Sequence, residues 1–148
     1  MPATAQATAE RVCEGMFAND HASRALGMRV DAITPGAATV TMRVRDDMLN
    51  GHASCHGGLI ASLADSAFAF ACNSYDELTV ASGFGIDFIS PARLGDELTA
   101  RCAEVSKTGR TGVYDTEVVN QRGERIAVFR GRSYTLKGQP VVAAPSTA

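Results

Sequence analysis

The feature that most constrains this chain is the segment GGLIASLADSAFAFACN at residues 57–73. It is long for a strand, rich in Ala and Leu, and apolar nearly all round when drawn as a helix. Such a helix is stable in water only when other elements cover it, so the segment predicts a buried central helix. Because Ser62, Asp65 and Ser66 interrupt it and it is shorter than the ~20 apolar residues of a membrane span, it does not predict a transmembrane segment.

Six stretches around this helix have the alternating pattern of half-buried strands. Two precede it as a hairpin closed by Thr34-Pro35-Gly36, and four follow it, separated by short turns. The predicted strands cover residues 27–33, 37–44, 80–89, 97–105, 112–119 and 125–136. One buried helix with five to six antiparallel strands predicts an α+β fold in which a curved sheet wraps around the helix.

The two ends of the chain differ from this central part. Residues 5–18 are rich in helix formers and predict a short N-terminal helix that Asn19 and Asp20 end. The tail GQPVVAAPSTA has no periodicity, which predicts disorder. We therefore expect an N-terminal helical segment at 1–25, one folded domain at 26–137 and a disordered tail at 138–148.

Charge and cysteine content narrow the classes of partner and compartment. The 148 residues carry 14 Lys and Arg against 16 Asp and Glu, a net charge of -2, so we expect no nucleic-acid or membrane partner. The four cysteines form no C-x-x-C pair and are expected to be reduced and buried. The N-terminus lacks the basic and apolar regions of a secretory signal, which predicts a cytoplasmic protein.

The carboxylate of Asp65 in the central helix needs a physical explanation. An ionised carboxylate in an apolar interior is costly unless it is paired, hydrogen-bonded or protonated. Asp65 is either structural, bound by a loop or open to solvent at a helix edge, or a catalytic base or nucleophile. On their own Gly57 and Gly58 favour a tight turn into the helix. Together with Asp65 they favour catalysis, because free N–H groups at a helix start suit a developing oxyanion.

The spacing of these residues has a consequence for the quaternary structure. Gly57 and Asp65 are eight residues apart, so on one helix they are separated by about 12 Å along the axis. That distance is too long for both to act on one carbonyl group. If they cooperate, the helix start of one subunit meets Asp65 of another, most simply across a two-fold axis with antiparallel helices. Catalysis through both groups therefore requires a dimer.

A metal site is the alternative use of the polar residues before the helix. His52, Cys55 and His56 resemble zinc ligands only if the helix begins before His52, and the glycines on either side argue against that. No Asp or Glu lies between residues 48 and 64 to complete a ligand set. We therefore predict no metal site. A nucleophilic role for Cys55 would need a lowered pKa, and a small buried thiol is the commoner case.

The combined motifs resemble one known family. The run N-G-H-x-x-x-H-G-G from Asn50, then L-A-D and A-C-N-S, with IDFISPARLGDELTA, TGVYDTEVVNQ and FRG, is similar to hotdog-fold acyl-CoA thioesterases of bacterial phenylacetic acid degradation. The resemblance extends from about Leu26 to Leu136. It implies the hotdog fold, dimers that pair into a homotetramer and active sites at the subunit interface. It implies no separate cofactor, because coenzyme A is part of the acyl-CoA substrate.

The resemblance also implies roles for individual residues. Asp65 would be the base or nucleophile, and Gly57 would donate its N–H to the thioester carbonyl. Asn50 and His56 match the polar residues beside the thioester in the subunit that supplies Gly57. Ser82, in the strand after the helix, matches a residue that helps to place the water.

A site for the rest of an acyl-CoA needs cations for the CoA phosphates and apolar surface for the acyl group. Lys107-Thr108-Gly109-Arg110 is a basic, glycine-containing turn suited to the CoA phosphates, with Arg93 a weaker candidate, although surface cations are commonly just solvated. Phe68, Phe84 and Phe88 are the aromatic candidates for the acyl pocket, although most such residues belong to a core.

Together these expectations point to hydrolysis of phenylacetyl-CoA or hydroxyphenylacetyl-CoA to the free acid and CoA. Three alternatives stay open: a hotdog thioesterase for another aryl or medium-chain acyl-CoA, a hydratase or dehydratase, and a non-catalytic acyl-CoA-binding protein. A hydratase commonly needs a histidine base, and the three histidines, His21, His52 and His56, lie outside the central helix. Neither the acyl group nor the choice between base and nucleophile follows from the sequence.

Overall fold

The computed structural model describes residues 1–143. Its elements are, in chain order, α1 (Ala5–Asn19), α2 (His21–Ala25), β1 (Arg29–Thr34), β2 (Ala37–Arg43), a 3-10 turn (Asp46–Met48), α3 (Gly57–Asn73), β3 (Thr79–Phe88), β4 (Glu97–Thr108), β5 (Thr111–Val119) and β6 (Arg125–Thr135). The predicted hairpin, long helix and four later strands are all present. The short helix α2 was not predicted. No helix in the described part of the chain has the length and apolarity to cross a bilayer.

The six strands form one antiparallel sheet in the order β1-β2-β4-β5-β6-β3. This order places β1 and β3 at the two edges, and α3 lies across the sheet in contact with all six strands. The α+β arrangement predicted from the sequence is confirmed.

The sheet covers α3 on one side only, which corrects the expectation of a wholly buried helix. The side chains that face the sheet are fully buried: Ile60, Leu63, Ala64, Ala67, Phe68, Phe70 and Ala71. A second stripe is only half-buried and consists of Ala61, Ser62, Asp65, Ser66 and Ala69. We call these five residues the open stripe. An apolar segment without helical amphipathicity gives no sign of which side the sheet leaves uncovered.

Side-chain hydrogen bonds fix both ends of α3. At its start, Nδ1 of His56 accepts from the backbone N–H of Gly58 at 3.2 Å, as an N-cap does. At its end, Asn73 accepts from the N–H of Thr79 at 2.9 Å and donates to its carbonyl at 3.0 Å. The hydroxyl of Ser74 accepts from the N–H of Gly36 at 2.8 Å. The helix end is therefore tied to β3 and to the β1–β2 turn.

The two ends of the chain pack against each other. Asp76 accepts from the backbone N–H groups of Val141 and Val142 at 2.9 and 3.3 Å and forms an ion pair with Arg11 of α1 at 2.9 Å. Part of the predicted disordered tail, residues 138–143, thus has defined contacts, and residues 144–148 lie outside the described residues. The four cysteines are free and buried, as predicted.

A substitution at Gly131 tests the packing of the core. A Cβ atom at Gly131 of β6 would lie 2.7–2.8 Å from three ring atoms of Phe68, which is 1% exposed. Because a buried ring between close neighbours has no room to move, we expect Gly131→Ala to lower the free energy of unfolding by about 1–3 kcal/mol. Urea denaturation of the two proteins measures the difference.

A double-mutant cycle identifies the cause of this loss. Phe68→Ala removes all three clashing ring atoms, so Gly131→Ala should cost clearly less in that background than in the wild-type protein. Equal costs in both backgrounds would mean that the methyl group does not act through Phe68.

Candidate active site

The loop before α3 is held in shape by the side chain of Asn50. Its Oδ1 accepts from the backbone N–H of His52 at 2.9 Å and from the N–H and hydroxyl of Ser54, both at 3.3 Å. The tight path of this loop puts Ala53 at a positive φ of 60°. Within residues 1–143, the Asn50 amide NH2 has no hydrogen-bond partner. Asn50 can therefore act on a ligand as a hydrogen-bond donor.

The same loop places Asn50 and Gly57 around one pocket. The N–H of Cys55 donates to the carbonyl of Ala92 at 2.8 Å, which holds the loop against the segment that follows β3. Between them is a pocket of about 320 Å³ lined by Asn50, Ser54, Cys55, Gly57, Ile60, Phe88, Ile89, Ser90 and Pro91. The structure thus brings together two of the five predicted catalytic residues.

The first turn of α3 offers one free backbone donor to this pocket. The N–H of Gly58 is taken by His56, whereas the N–H of Gly57 makes no hydrogen bond within the described part of the chain. The ring of Phe88 lies over Gly57, because a Cβ there would be 3.0 Å from Phe88 Cζ. The side chain of His56 is exposed and lines a neighbouring pocket of about 380 Å³. His56 is thus placed as the helix cap, on a different pocket from Asn50.

Asp65 lies at the centre of the open stripe, outside the pocket at the helix start. Its carboxylate is half-buried and makes no hydrogen bond or ion pair with residues 1–143. Burial raises its pKa, and the negative charge of Asp20 raises it further. A general base must accept a proton, and an unpaired carboxylate with a raised pKa accepts one more readily than an ordinary carboxylate does.

A hydrogen-bonded series links α2 to the turn of α3 that carries Asp65. Asp20 caps α2 by accepting from the N–H of Ser23 at 2.9 Å and from its hydroxyl at 2.7 Å. The hydroxyl of Ser23, which is 2% exposed, lies 2.9 Å from the hydroxyl of Ser66. The sequence did not predict this hydrogen-bonded series. The pattern Asp-x-x-Ser signals a helix cap, but nothing in it signals a contact 43 residues away.

Ser82 lies in an irregularity of the edge strand β3. The pairing with β6 shifts register between Ala81 and Gly83, so Ser82 is the extra residue of a β-bulge. Its side chain is exposed and its hydroxyl donates to the carbonyl of Arg132 at 3.2 Å. Bulges re-aim side chains and are frequent beside active sites.

The three candidate pocket phenylalanines have two different environments. Phe68 is core, with its ring centroid 5.6 Å from that of Tyr114 and 5.8 Å from that of Phe129. Phe84 and Phe88 are 43% and 52% exposed. The ring of Phe84 lies over Phe129, 4.8 Å between centroids. Only Phe84 and Phe88 therefore have surface left for a ligand.

The three cations suggested for coenzyme A lie at two ends of the molecule. Lys107 is over the ring of Tyr75, 4.4 Å from its centroid, and 3.9 Å from the Glu77 carboxylate, close to where α3 ends. Arg110 donates to the carbonyl of Thr135 at 3.5 Å near the same end. Arg93 is exposed in the segment beside the Asn50 pocket. Within one chain, only Arg93 is near the start of α3.

The residues considered for metal binding and thiol chemistry are not arranged for either. In residues 1–143, no group of three or more His, Cys, Asp or Glu side chains is placed to hold a metal ion. Burial raises the pKa of Cys55 to about 11, so its thiol is protonated at neutral pH and is a poor nucleophile.

Comparison with known proteins identifies the family. Residues 52–127 match the model of the thioesterase superfamily. A relative from Escherichia coli K12, the acyl-coenzyme A thioesterase PaaI, is 51% identical over 124 residues, which are 83% of this chain and 88% of the relative.

Solved structures agree with this relationship. The E. coli PaaI protein from the phenylacetic acid degradation operon superimposes with a TM-score of 0.90 at 45% identity, covering 92% of this chain and 99% of that one. A Streptococcus mutans UA159 protein bound to acetyl CoA gives a TM-score of 0.73 at 25% identity, covering 76% and 90% of the two chains. The chain therefore belongs to the thioesterase superfamily and has the hotdog fold that its sequence motifs implied.

Proposed function

We propose that the protein hydrolyses aryl-acetyl-CoA thioesters, phenylacetyl-CoA or hydroxyphenylacetyl-CoA, to the free acid and CoA. The relationship to the E. coli acyl-coenzyme A thioesterase supports thioester hydrolysis. The E. coli PaaI protein comes from a phenylacetic acid degradation operon, which supports an aryl-acetyl group as the acyl part of the substrate. The observation that carries the mechanism is Asp65, an unpaired, half-buried carboxylate of raised pKa on the central helix.

The active form is a dimer in this proposal. Gly57 and Asp65 are on one helix, about 12 Å apart along its axis, so one chain alone does not present both to a thioester. The edge strand β3 carries exposed Phe84 and Phe88, and Phe88 lies over Gly57 at the start of α3. Unpaired edges and exposed apolar side chains favour association with a second copy. Two such dimers would form the homotetramer that the family resemblance implies.

In the dimer, the thioester carbonyl oxygen accepts from the N–H of Gly57 of one subunit, with the Asn50 NH2 as a neighbouring donor. Asp65 of the other subunit removes a proton from water as the water oxygen bonds to the carbonyl carbon. The negative oxygen that results is stabilised by the Gly57 N–H and the helix start. The C–S bond then breaks, and the CoA sulfur leaves with the proton. Direct attack by Asp65 on the same carbonyl is the alternative first step.

Two opposing effects set the pKa of Asp65 in this arrangement. Burial and Asp20 raise it within one chain. The partially positive start of the other subunit's helix lowers it. Because the second effect acts only across the subunit interface, the pKa of Asp65 depends on dimer formation in this proposal.

The first test removes the charge of Asp65 and keeps its shape. We expect Asp65→Asn to lower kcat for phenylacetyl-CoA by about 10²-fold or more, because amide oxygen is not a base. A thiol reagent measures the CoA released, after subtraction of the protein's own four cysteines. Asp31→Asn, which removes the same charge from an exposed position on β1, should keep wild-type activity. Equal activity of Asp65→Asn and wild type would contradict the mechanism.

The second test removes a backbone donor without breaking the helix. Gly57 is the first helical residue, where proline is favoured, and His56 has the extended conformation, φ -59° and ψ 130°, that precedes proline. We expect Gly57→Pro to lower kcat by roughly 10²–10³-fold, the usual cost of one oxyanion donor.

Gly57→Ala is the matched control, because it meets the ring of Phe88 as proline does but keeps the N–H. It should retain far more activity than Gly57→Pro. If both variants lose activity equally, contact with Phe88 rather than the lost donor explains the result.

A substrate panel separates this proposal from two of its alternatives, a thioesterase for another acyl group and a non-catalytic acyl-CoA-binding protein. We expect phenylacetyl-CoA and hydroxyphenylacetyl-CoA to give a higher kcat/KM than medium-chain acyl-CoA, because Phe84 and Phe88 offer exposed aromatic surface. We expect them also to exceed benzoyl-CoA and hydroxybenzoyl-CoA, an expectation supported by the operon of the E. coli relative. Faster turnover of another acyl group would replace the aryl-acetyl assignment. Calorimetric binding of phenylacetyl-CoA without release of CoA would support a non-catalytic acyl-CoA-binding protein.

A further inference from the structure

The N-terminal segment reaches the centre of the proposed site through a defined hydrogen-bonded series. Asp20 binds Ser23 twice, at 2.9 Å through the backbone N–H and at 2.7 Å through the hydroxyl, and the Ser23 hydroxyl lies 2.9 Å from that of Ser66. Ser66 directly follows Asp65 on α3. We call Asp20, Ser23 and Ser66 the α2 clamp.

We propose that Asp20 and Ser23 are positioning residues for catalysis, holding the Asp65 turn of α3 in place and keeping a second negative charge beside Asp65. This inference rests on the proposed function, because it assigns Asp65 as the base. It gives α2, a helix of five residues outside the predicted folded domain, an indirect part in the reaction, through the position and basicity of Asp65.

The clamp is built to keep its geometry. Ser23 is 2% exposed, and its hydroxyl is shared between Asp20 and Ser66, so water has little access to compete for these hydrogen bonds. Two further hydrogen bonds reinforce it: the backbone N–H of Met28 donates to the carbonyl of Ser23 at 3.0 Å, and the guanidinium of Arg24 donates to the carbonyl of Ala18 at 2.9 Å. The short helix therefore cannot shift without breaking several bonds at once.

Within residues 1–143, the Asp20 carboxylate accepts hydrogen bonds from Ser23 and forms no ion pair, and its negative charge acts on Asp65. Burial is the larger cause of the raised pKa of Asp65, and the charge of Asp20 is the second cause. On α3, Cys72 is the other titratable group coupled to Asp65, and burial keeps its thiol protonated with a pKa of about 12. Asp20 thus raises the basicity of Asp65, which a general base uses in the step that removes a proton from water.

The test is the pH dependence of kcat/KM for three proteins. Asp20→Asn keeps an N-cap residue and a carbonyl oxygen for Ser23 while it removes the charge. We expect its acidic limb to move to lower pH and its plateau rate to fall, since Asp65 becomes a weaker base. Asp31→Asn, the same charge change on exposed β1, should leave the limb where it is in wild type.

Ser23→Ala separates position from charge, because it cuts the link to Ser66 and keeps Asp20. We expect a lower kcat with KM nearly unchanged and the acidic limb at the wild-type pH. Carboxyl NMR, with Asp65→Asn for assignment, measures the titration of Asp65 in the same proteins without any substrate.

The possible results distinguish failure of this inference from failure of the proposed function. A lowered Asp65 titration and acidic limb in Asp20→Asn would support the inference. An active wild type whose Asp65 titration does not move in Asp20→Asn would overturn this inference alone. A wild type that hydrolyses no thioester would overturn the proposed function, whatever Asp65 does in the NMR titration.

Discussion

The structure depends on the incomplete cover of one apolar helix. The curved sheet buries one side of α3, and the opposite side, the open stripe, stays half-buried with an unpaired carboxylate at its centre. A sheet of six strands is wide enough to wrap a single helix but not to enclose it, so part of the helix faces away from the sheet. This shortage of cover leaves Asp65 without a partner within residues 1–143, as the proposed role in a dimer requires.

Different physical effects act at two positions of α3, its start and its middle. At its start, one side chain caps the second N–H, so the first remains a free donor at the positive end of the helix. In its middle, burial and the charge of Asp20 act together on Asp65 and raise its pKa. A donor of fixed direction and a base of raised pKa are the two requirements of acyl transfer by water, and one helix supplies both types of group. Because they lie about 12 Å apart along it, they complement each other only between helices.

Most of the fold was predictable because its signals are local. The hairpin before α3 and the four strands after it follow from alternating patterns and turn residues, and α3 begins at Gly57, directly after the histidine that caps it. Several site features had no local signal. The bulge at Ser82 arises from strand pairing with β6, and the burial of Phe68 follows from the missing side chain at Gly131 on a strand 63 residues later. The α2 clamp joins two segments for which no local pattern predicts a contact.

By itself the sequence determined most of the secondary structure, the location of the candidate base within the central helix and the family to which the chain belongs. These follow from periodicity and motifs, which are properties of neighbouring residues. Only the tertiary structure decided which side of α3 the sheet leaves open, which phenylalanines keep exposed surface and which charge acts on Asp65. Those properties depend on how distant segments pack, and burial and electrostatic coupling exist only after that packing has formed.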